Sequence, residues 1–297
     1  VLIDSSETSK TLDYSQEIIR KLLKINIRKG DRLIAIGGGI TQDIVAFISS
    51  ILFRGLEWIF LPTTLLAQCD SCIGSKSSIN FDSYKNLLGT FNPPSQIFIY
   101  HGFSNTLTEV EIRSGIGEML HYFFTDGIKL AQQLTDQIDQ IILDRTKLRF
   151  FIRESLQIKK RIIEIDEFDL SIRHIFNYGH TFGHALEAIT NYEISHGQAV
   201  TFGMDLANYI SLKSAMINER QFAEMHNVLL KNIPTYEFNL ANIEDYLSAL
   251  MKDKKNKGNK IGCILTRGPG KIEKIFLDND GWLKRTILDY SSKFNYA

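Results

Sequence analysis

Residues 33–39 read LIAIGGG, a short apolar run that ends in three glycines. Such a run is typical of a buried strand that leads into a tight turn. A helix is predicted on either side of it, at 11–23 and 43–52, and two further apolar runs, at 58–61 and 97–100, predict more buried strands. Strands that alternate with helices at this spacing indicate a parallel sheet with crossover helices.

The pattern changes after about residue 107, where helical periodicity dominates. Helices are predicted at 109–124, 148–165, 180–189, 198–215 and 219–230, and the next strand is predicted only at 261–265. The sequence therefore predicts an α/β fold class. An α/β domain of the nucleotide-binding type would span residues 1–106, and a mostly α-helical domain would span residues 107–297.

Composition excludes several classes of protein. The 297 residues, 44% hydrophobic and 23% charged, suit one or two globular domains with a large core. The formal net charge is zero, so no general attraction to nucleic acid or to a membrane is implied. The sequence contains no run of about 18 apolar residues, so no transmembrane helix is expected. Its first residues lack the pattern of a secretory signal.

The three cysteines are too few for a disulfide framework and fit a reducing cytoplasm. Cys69 and Cys72 form a C-x-x-C pair, and Cys263 stands apart. Taken alone, the pair is compatible with a redox centre, with half of a zinc site, or with two structural thiols. Because no second C-x-x-C completes a zinc site, we favour structural thiols.

The glycines at 37–39 lie between a predicted strand and a predicted helix, where the backbone can approach a ligand closely. The N–H groups at a helix N-terminus would suit a diphosphate there. The sequence is not G-x-G-x-x-G, however, so a plain tight turn remains a second interpretation. Asp43, expected on the first turn of the following helix, would interact favourably with the helix dipole.

Three of the seven histidines fall within 17 residues, at 180, 184 and 196. His180 and His184 are four residues apart, so on a helix they share one face. Histidines on helices are commonly structural, but this clustering also suits a metal site. Such a site needs another ligand, and Glu118 in a preceding helix is a candidate carboxylate. The pair lacks the glutamate of H-E-x-x-H, so a zincin protease is not indicated.

From Glu7 to about Gly270 the chain resembles the 3-dehydroquinate synthase family of sugar-phosphate cyclases. Each matching segment is weak alone, and the ordered set is specific. In chain order the segments are E-x-x-K-T-L at 7–12, G-G-G-x-x-x-D at 37–43, R-G at 54–55, P-T-T-L-L-A-Q at 62–68, D-S at 70–71, G-x-K at 74–76, K-N at 85–86, G-x-x-E at 115–118, Lys159, D-E at 166–167, Arg173, N-x-G-H-T-F-G-H at 177–184, H-G at 196–197, K-K at 254–255 and R-G-x-G at 267–270.

The resemblance implies a Rossmann-like nucleotide-binding domain followed by a helical metal-binding domain, two cofactors and a set of site residues. A divalent metal ion, zinc or cobalt, would be held by Glu118, His180 and His196. The implied NAD contacts are Glu7, Lys10, Gly37, Gly38, Gly39, Asp43, Thr63, Thr64, Leu66, Asp70, Ser71, Lys76, Lys85, Thr106, Leu107 and Glu111. The implied catalytic and substrate contacts are Arg54, Lys76, Asn86, His184 and one of Lys254 and Lys255 for phosphate, Lys159 and Arg173 for a carboxylate, Asp70 and Asn177 for hydroxyl groups, and Lys85.

The implied reaction converts 3-deoxy-D-arabino-heptulosonate 7-phosphate into 3-dehydroquinate and phosphate, in the shikimate pathway of aromatic amino acid biosynthesis. It proceeds by transient oxidation with NAD, elimination of phosphate, reduction and an intramolecular aldol. The metal ion would act as a Lewis acid, and His184 as a proton shuttle. A substrate with a phosphate and a carboxylate requires a cationic pocket, to which arginine is suited. The implied enzyme is a lyase and a homodimer.

The sequence departs from the family pattern at several positions. His121 stands where a lysine usually follows the metal-binding glutamate, and at i+3 it should face the same site. Gln42 and Ser75 replace usual glycines. The family generally has a further strand–helix–strand before the Glu7 motif, whereas this sequence begins at Val1. We therefore expect either a fragment or a nucleotide-binding sheet that lacks its first strands.

Three alternatives stay open. The nearest is another sugar-phosphate cyclase that makes a cyclitol, although Lys159 and Arg173 favour a substrate with a carboxylate. A metal-dependent polyol dehydrogenase shares the broad architecture, and net release of NADH would indicate it. The third is an inactive descendant, which would retain the metal ion without turning over any sugar phosphate.

Overall fold

The computed structural model describes the chain except for residues 83, 237–242, 253–254 and 295–297. The chain packs into two units, one of Val1–Leu107 with Leu148–Phe168 and one of Thr108–Lys147 with Asp169–Ala297. Among the described residues, no helix combines the length and apolarity needed to cross a bilayer. In chain order the elements are α1 Leu12–Lys24, β1 Arg32–Gly37, α2 Gly39–Ile51, β2 Glu57–Pro62, β3 Lys76–Phe81, β4 Tyr84–Phe91, β5 Gln96–Ile97, α3 Glu109–Asp126, α4 Lys129–Thr135, α5 Ile138–Leu143, α6 Leu148–Ile163, α7 His180–Ile189, α8 His196–Lys213, α9 Glu219–Leu229, α10 Ile243–Met251, β6 Lys260–Thr266, β7 Ile272–Asp278 and α11 Gly281–Lys293.

The first unit contains the predicted parallel sheet, with strand order β1-β2-β5. Ile34 of β1 pairs with Ile59 of β2, which pairs with Gln96 of β5. The predicted α/β fold class is therefore confirmed. The third strand is shorter than the predicted 97–100, because the chain leaves the sheet after Ile97 and the Phe98 side chain is exposed.

Helices α1 and α2 follow from their sequence patterns. Thr11 caps α1 by accepting a hydrogen bond from the backbone N–H of Tyr14. Ile18 and Leu22, one turn apart, are buried in a cluster with apolar side chains of α2. Helix α2 begins at Gly39, four residues before the predicted 43–52, and most of its side chains are buried.

An antiparallel hairpin of β3 and β4 was not predicted. Its inward positions include Ser77 as well as Ile79, so the alternation of apolar and polar residues that indicates a half-buried strand is weak. The two strands pair from Lys76 with Phe91 to Phe81 with Tyr84.

Helix α6 belongs to the first unit, although it follows three helices of the second. Ser155 Oγ on α6 donates to the backbone carbonyl of Cys69, and Lys159 on the same helix contacts Asp70. The predicted division into 1–106 and 107–297 assumed one change of domain along the chain. The structure differs because these long-range contacts return residues 148–168 to the first unit.

The second unit is mostly helical, and α8 lies at its centre, buried on nearly every side. The predicted helices at 109–124, 180–189, 198–215 and 219–230 correspond to α3, α7, α8 and α9, and the predicted strand at 261–265 to β6. Helix α3 begins with a capping box in which the side chains of Thr108 and Glu111 each accept a hydrogen bond from the other residue's backbone. Strand β6 pairs with β7 as an antiparallel hairpin.

Candidate active site with a metal centre

The three helices that carry the predicted metal ligands approach one another through glycines. A Cβ atom added to Gly117 of α3 would lie 1.9 Å from the carbonyl oxygen of Gly197 on α8. A Cβ added to Gly203 of α8 would lie 2.0 Å from the carbonyl oxygen of Gly179, which precedes α7. Only glycine permits such close backbone contact. Gly117 and Gly197 are the chain neighbours of Glu118 and His196, so this approach brings those two side chains together.

The Glu118 carboxylate is the centre of a buried cluster in the second unit. Its Oε1 atom lies 3.1 Å from Nε2 of His196 and 3.7 Å from Nε2 of His180. Its Oε2 atom lies 3.2 Å from Nδ1 of His121. The structure thus brings together the three residues predicted as metal ligands.

His184 joins the same cluster. One ligand nitrogen each of His180, His184 and His196 lies within 4.8 Å of the others. The His184 ring is stacked on that of His196, with centroids 5.5 Å apart, and its side chain is exposed. The sequence grouped this residue with the other two histidines of a possible metal site, whereas the family resemblance assigned it to substrate phosphate and proton transfer.

Neighbouring acceptors orient two of the imidazole rings. Nδ1 of His180 lies 3.2 Å from the backbone carbonyl oxygen of Tyr178, and Nδ1 of His196 lies 3.1 Å from Oε2 of Glu187. A ring that donates from Nδ1 presents the lone pair of Nε2, and both Nε2 atoms face Glu118. Histidines that bind metal ions are commonly held in this way by a carbonyl or a carboxylate.

The charges in the cluster oppose one another. Burial alone would raise the pKa of Glu118, but His180, His121 and His196 hold it well below its usual range. Burial lowers the pKa of His180 to about 4. Burial acts in the same direction on His196, but the Glu187 and Glu118 carboxylates raise its pKa to about 10. His180 is therefore neutral near pH 7, whereas His196 holds a proton that a metal ion would displace on binding.

A divalent cation fits this donor set. The Oε1 atom of Glu118 is fully buried and has no hydrogen bond of good geometry among the described residues. A buried oxygen that carries charge and lacks a partner is costly, and a cation would satisfy it. One carboxylate oxygen with several imidazole nitrogens is a donor set that suits zinc or cobalt. The predicted ligands Glu118, His180 and His196 therefore fit a divalent metal ion.

In the first unit, the glycine turn lies at the carboxyl ends of β1 and β2, where ligands bind in open α/β sheets. Thr63 N–H donates to the carbonyl oxygen of Gly37 at 2.9 Å. A Cβ on Gly38 would lie 2.8 Å from Thr64 Cγ2, and one on Gly39 would lie 3.8 Å from Ser71 Oγ. These predicted NAD contacts are thus brought together, and Gly38 is the N-cap residue of α2, where no side chain caps the helix.

Two family models match the chain, namely 3-dehydroquinate synthase N-terminal over residues 1–114 and 3-dehydroquinate synthase C-terminal over residues 115–256. The chain belongs to the 3-dehydroquinate synthase family. The 3-dehydroquinate synthase of Thermoanaerobacter sp. (strain X514) is 35% identical over 286 residues, which are 95% of this chain and 80% of that protein. That of Dictyoglomus thermophilum is 39% identical over 280 residues, 93% of this chain and 78% of that protein. The family predicted from the sequence is confirmed.

Solved structures of sugar-phosphate cyclases share the fold of this family member. A 2-deoxy-scyllo-inosose synthase, complexed with carbaglucose-6-phosphate, NAD+ and Co2+, has a TM-score of 0.88 at 23% identity and covers 99% of this chain and 82% of its own. The 2-epi-5-epi-valiolone synthase of Streptomyces hygroscopicus subsp. jinggangensis 5008, with NAD+ and Zn2+ bound, has a TM-score of 0.86 at 23% identity, covering 98% and 82%.

Lys10 and Asp43, which belong to the first two family motifs, form a hydrogen-bond network. Lys10, only 5% exposed, donates from Nζ to Oδ2 of Asp43 at 2.7 Å. Ser78 N–H donates to the other oxygen of Asp43 at 3.0 Å, and burial raises the pKa of Asp43 although Lys10 opposes it. Because α2 begins at Gly39, Asp43 lies past its first turn. The interpretation of Asp43 as a charge that interacts with the helix dipole was therefore wrong. Glu7 lies beside this network, since its Oε1 accepts from Asn80 Nδ2 at 2.9 Å.

The hairpin of β3 and β4 carries three residues that were predicted to contact the substrate or the cofactor. Asn86 takes a left-handed backbone conformation with φ of 56°, and its Oδ1 accepts from Ser78 Oγ at 3.0 Å. This links Asn86 to the network around Asp43. Lys76 and Lys85 lie on β3 and β4 with exposed side chains.

A π-helical turn at Ala67–Ser71 carries two more predicted residues, and Leu66 precedes it. Such turns are frequent at functional sites. Lys159 Nζ donates to both the backbone oxygen and the Oδ1 atom of Asp70, at 2.7 Å each. Gln42 and Ser71 exchange hydrogen bonds, with Gln42 Nε2 donating to the Ser71 backbone oxygen and Ser71 Oγ donating to Gln42 Oε1.

Four predicted contacts lie outside these networks. Arg54 is exposed at the end of a short 3-10 helix, with φ of 63°. Thr106 ends the 3-10 helix His101–Thr106, and Leu107 follows it. The Glu111 carboxylate is occupied by the capping box of α3. For these residues the structure gives local contacts only, and their roles at a site stay predictions.

The remaining substrate contacts lie in the second unit. Arg173 is buried in the 3-10 helix Ile172–Asn177. Lys255 Nζ donates to Oδ1 of Asn177 at 3.3 Å, and the positive charge of Lys255 contributes to the low pKa of His180. Lys254, the other candidate of the pair, lies outside the described residues. The structure therefore places Lys255 beside predicted site residues, whereas K-K in the sequence did not distinguish the two lysines.

The C-x-x-C pair is buried in the first unit. Cys69, Cys72 and Cys263 are all buried and form no disulfide, so the structural interpretation of the pair is supported. Burial raises the pKa of Cys72 and of Cys263 to about 12. Thiols that do not ionise at neutral pH are poor nucleophiles and poor metal ligands.

Proposed function

We propose that this chain is a 3-dehydroquinate synthase that converts 3-deoxy-D-arabino-heptulosonate 7-phosphate into 3-dehydroquinate and phosphate, with NAD and one divalent metal ion. Membership of the family supports the proposal, as do relatives of that name at 35% and 39% identity over most of the chain. The observation that carries it is the group of donor atoms around the orphaned Oε1 of Glu118.

Glu118, His180 and His196 are proposed to hold the metal ion, with His184 close enough to contribute. The Tyr178 carbonyl would keep the His180 ring oriented. The solved cyclases that share the fold contain NAD+ with Zn2+ or Co2+, which favours zinc or cobalt. When bound, the metal ion would polarise a substrate oxygen and NAD would permit a transient oxidation, chemistry that amino acid side chains alone do not supply.

His184 is proposed to move protons at the substrate phosphate end. Its side chain is exposed, unlike the rings of the deeper cluster, so it can exchange protons with solvent. Imidazole side chains suit this task near neutral pH.

Asn177 and Lys255 form a polar pair near the N-terminus of α7, and we propose that Lys255 contributes a positive charge toward a phosphate. Arg173 is buried and precedes Asn177 closely in the chain. We propose that its planar guanidinium group contacts the substrate carboxylate.

In the first unit, the glycine turn at 37–39 is proposed to receive the NAD diphosphate. The N-terminus of α2 offers backbone N–H groups, and the absence of Cβ atoms allows close approach. Lys159 is held by Asp70, with its side chain only 7% exposed, and this pairing fixes the position of its ammonium group. We propose that Lys159 contacts the substrate carboxylate and Asp70 a hydroxyl group.

We further propose a homodimer that functions in the cytoplasm. Three buried cysteines that form no disulfide fit a reducing compartment. The exposed apolar side chains Tyr84, Leu87 and Phe91 on β4 favour contact with a second copy. Light scattering coupled to size exclusion would return the mass of two chains, and the mass of one chain would contradict the dimer.

The deciding experiment is a phosphate-release assay with 3-deoxy-D-arabino-heptulosonate 7-phosphate, catalytic NAD and zinc, in which the product is identified by mass. Dehydroquinate formed without net NADH is the expected result, and Glu118→Gln serves as the control without activity. Net accumulation of NADH would indicate a polyol dehydrogenase. Release of phosphate only from another sugar phosphate would indicate a different cyclase, and metal and NAD binding without any turnover would indicate an inactive descendant.

A further inference from the structure

His121 is a buried imidazole that the proposed chemistry leaves unused. Its side chain is 1% exposed on α3, one turn from Glu118. Neither ring nitrogen makes a hydrogen bond of good geometry with any described residue. A buried polar atom without a partner lowers stability, so an aromatic ring of similar shape would be preferred if the position served only packing.

The surroundings hold the His121 ring in one place. It packs against Tyr122 with ring centroids 3.9 Å apart and against the edge of Phe176 at 5.9 Å. The His180 ring lies 5.2 Å away and nearly perpendicular. Within this setting Nδ1 lies 3.2 Å from Oε2 of Glu118. Contacts of this kind are often poorly aligned before a ligand is bound and tighten afterwards.

The two oxygens of Glu118 therefore have different neighbours. Oε2 faces His121, whereas Oε1 faces the Nε2 atoms of His180 and His196. A carboxylate on a flexible side chain can rotate between several orientations. A partner on one oxygen restricts that rotation, and carboxylates that bind metal ions are commonly restrained by such contacts.

We propose that His121 is a positioning residue that holds Oε2 of Glu118 through its Nδ1–H group, so that Oε1 is presented to the metal ion together with His180 and His196. This inference rests on the metal site of the proposed function. It assigns His121 a role through Glu118, without direct contact with the substrate.

The test compares two variants that differ in one hydrogen-bond donor. His121→Phe keeps an aromatic ring of similar size and removes both nitrogens. His121→Asn places an amide N–H close to the position of Nδ1. The affinity of each for Co2+ is measured by competition with a chelating dye, and the visible absorption of bound Co2+ reports the ligand geometry. Circular dichroism and thermal melting of the metal-free proteins establish that each variant folds.

We expect His121→Phe to bind Co2+ about 10- to 100-fold more weakly with an altered absorption spectrum, as is typical when a partner of a metal ligand is lost. His121→Asn should recover most of the affinity and the original spectrum. Wild-type affinity and spectrum in folded His121→Phe would overturn the role of His121. If Glu118→Gln also bound Co2+ like the wild type, the metal site itself would be overturned, and the two failures are thereby distinguished.

Discussion

Gly117→Ala should damage both the stability of the second unit and its metal centre. The added Cβ would lie 1.9 Å from the carbonyl oxygen of Gly197, whereas real Cβ contacts stay beyond 3.0 Å, so the two helices must separate locally by about 1.1 Å. Both partners at this contact are backbone atoms, so no flexible side chain can move aside. Overpacking of this kind costs about 1–3 kcal/mol.

The same displacement acts on the donor atoms, because Glu118 and His196 directly follow and precede the two glycines. Their Oε1–Nε2 distance of 3.1 Å cannot be kept if the helices move apart. A misplacement of about 1 Å at a reacting centre can lower the rate by about 100-fold. We therefore expect weaker zinc binding and a large loss of phosphate release.

The assay combines thermal melting of the metal-free protein, zinc titration and phosphate release. The melting temperature should fall by about 2–4 °C for each kcal/mol lost. Gly30→Ala is the matched control, since a Cβ there would meet nothing within 4 Å, and its melting temperature should not fall. An unchanged melting temperature and zinc affinity in Gly117→Ala would refute the argument that glycine-mediated contact assembles the centre.

Three further predictions can be tested on the same protein. His180→Ala should abolish zinc binding and phosphate release, as measured by titration and by the phosphate assay, and full activity would refute its assignment as a ligand. Thr108→Ala removes the side-chain cap of α3 and should cost about 1 kcal/mol in chemical denaturation, while an unchanged midpoint would show that the cap is not needed. Cys69, Cys72 and Cys263 are buried, and with the pKa of Cys72 and Cys263 raised to about 12, about one thiol in 10,000 at these two positions is ionised at pH 8. A thiol reagent should therefore react only after denaturation, and rapid reaction of the native protein would contradict the burial.

Local patterns predicted the elements whose determinants lie close together in the chain. The apolar run at 33–36 with its glycines predicted β1 and the following turn, and helical periodicity predicted α3, α7 and α8. The spacing of His180 and His184 placed both rings on one face of α7. In each case the deciding interactions, hydrogen bonds and side-chain contacts within about one turn, depend on residues a few positions apart.

Other features depend on partners that are distant in sequence. The return of α6 to the first unit requires its contacts with Cys69 and Asp70, 86 and 89 residues away. The pairing of Asp43 with Lys10 spans 33 residues. No local periodicity encodes such contacts, so the single domain boundary and the helix-dipole role of Asp43 were the natural predictions.

The candidate metal centre shows both kinds of determinant. The sequence by itself determined the family, the residue types able to bind a metal ion, and the shared face of His180 and His184. The tertiary structure alone decided that Oε1 of Glu118 faces His180 and His196, that His184 lies beside them, and that His121 contacts the opposite oxygen. The physical reason is that these atoms meet only where glycines let α3, α7 and α8 approach backbone to backbone, and such an approach is a property of three packed helices rather than of any one segment.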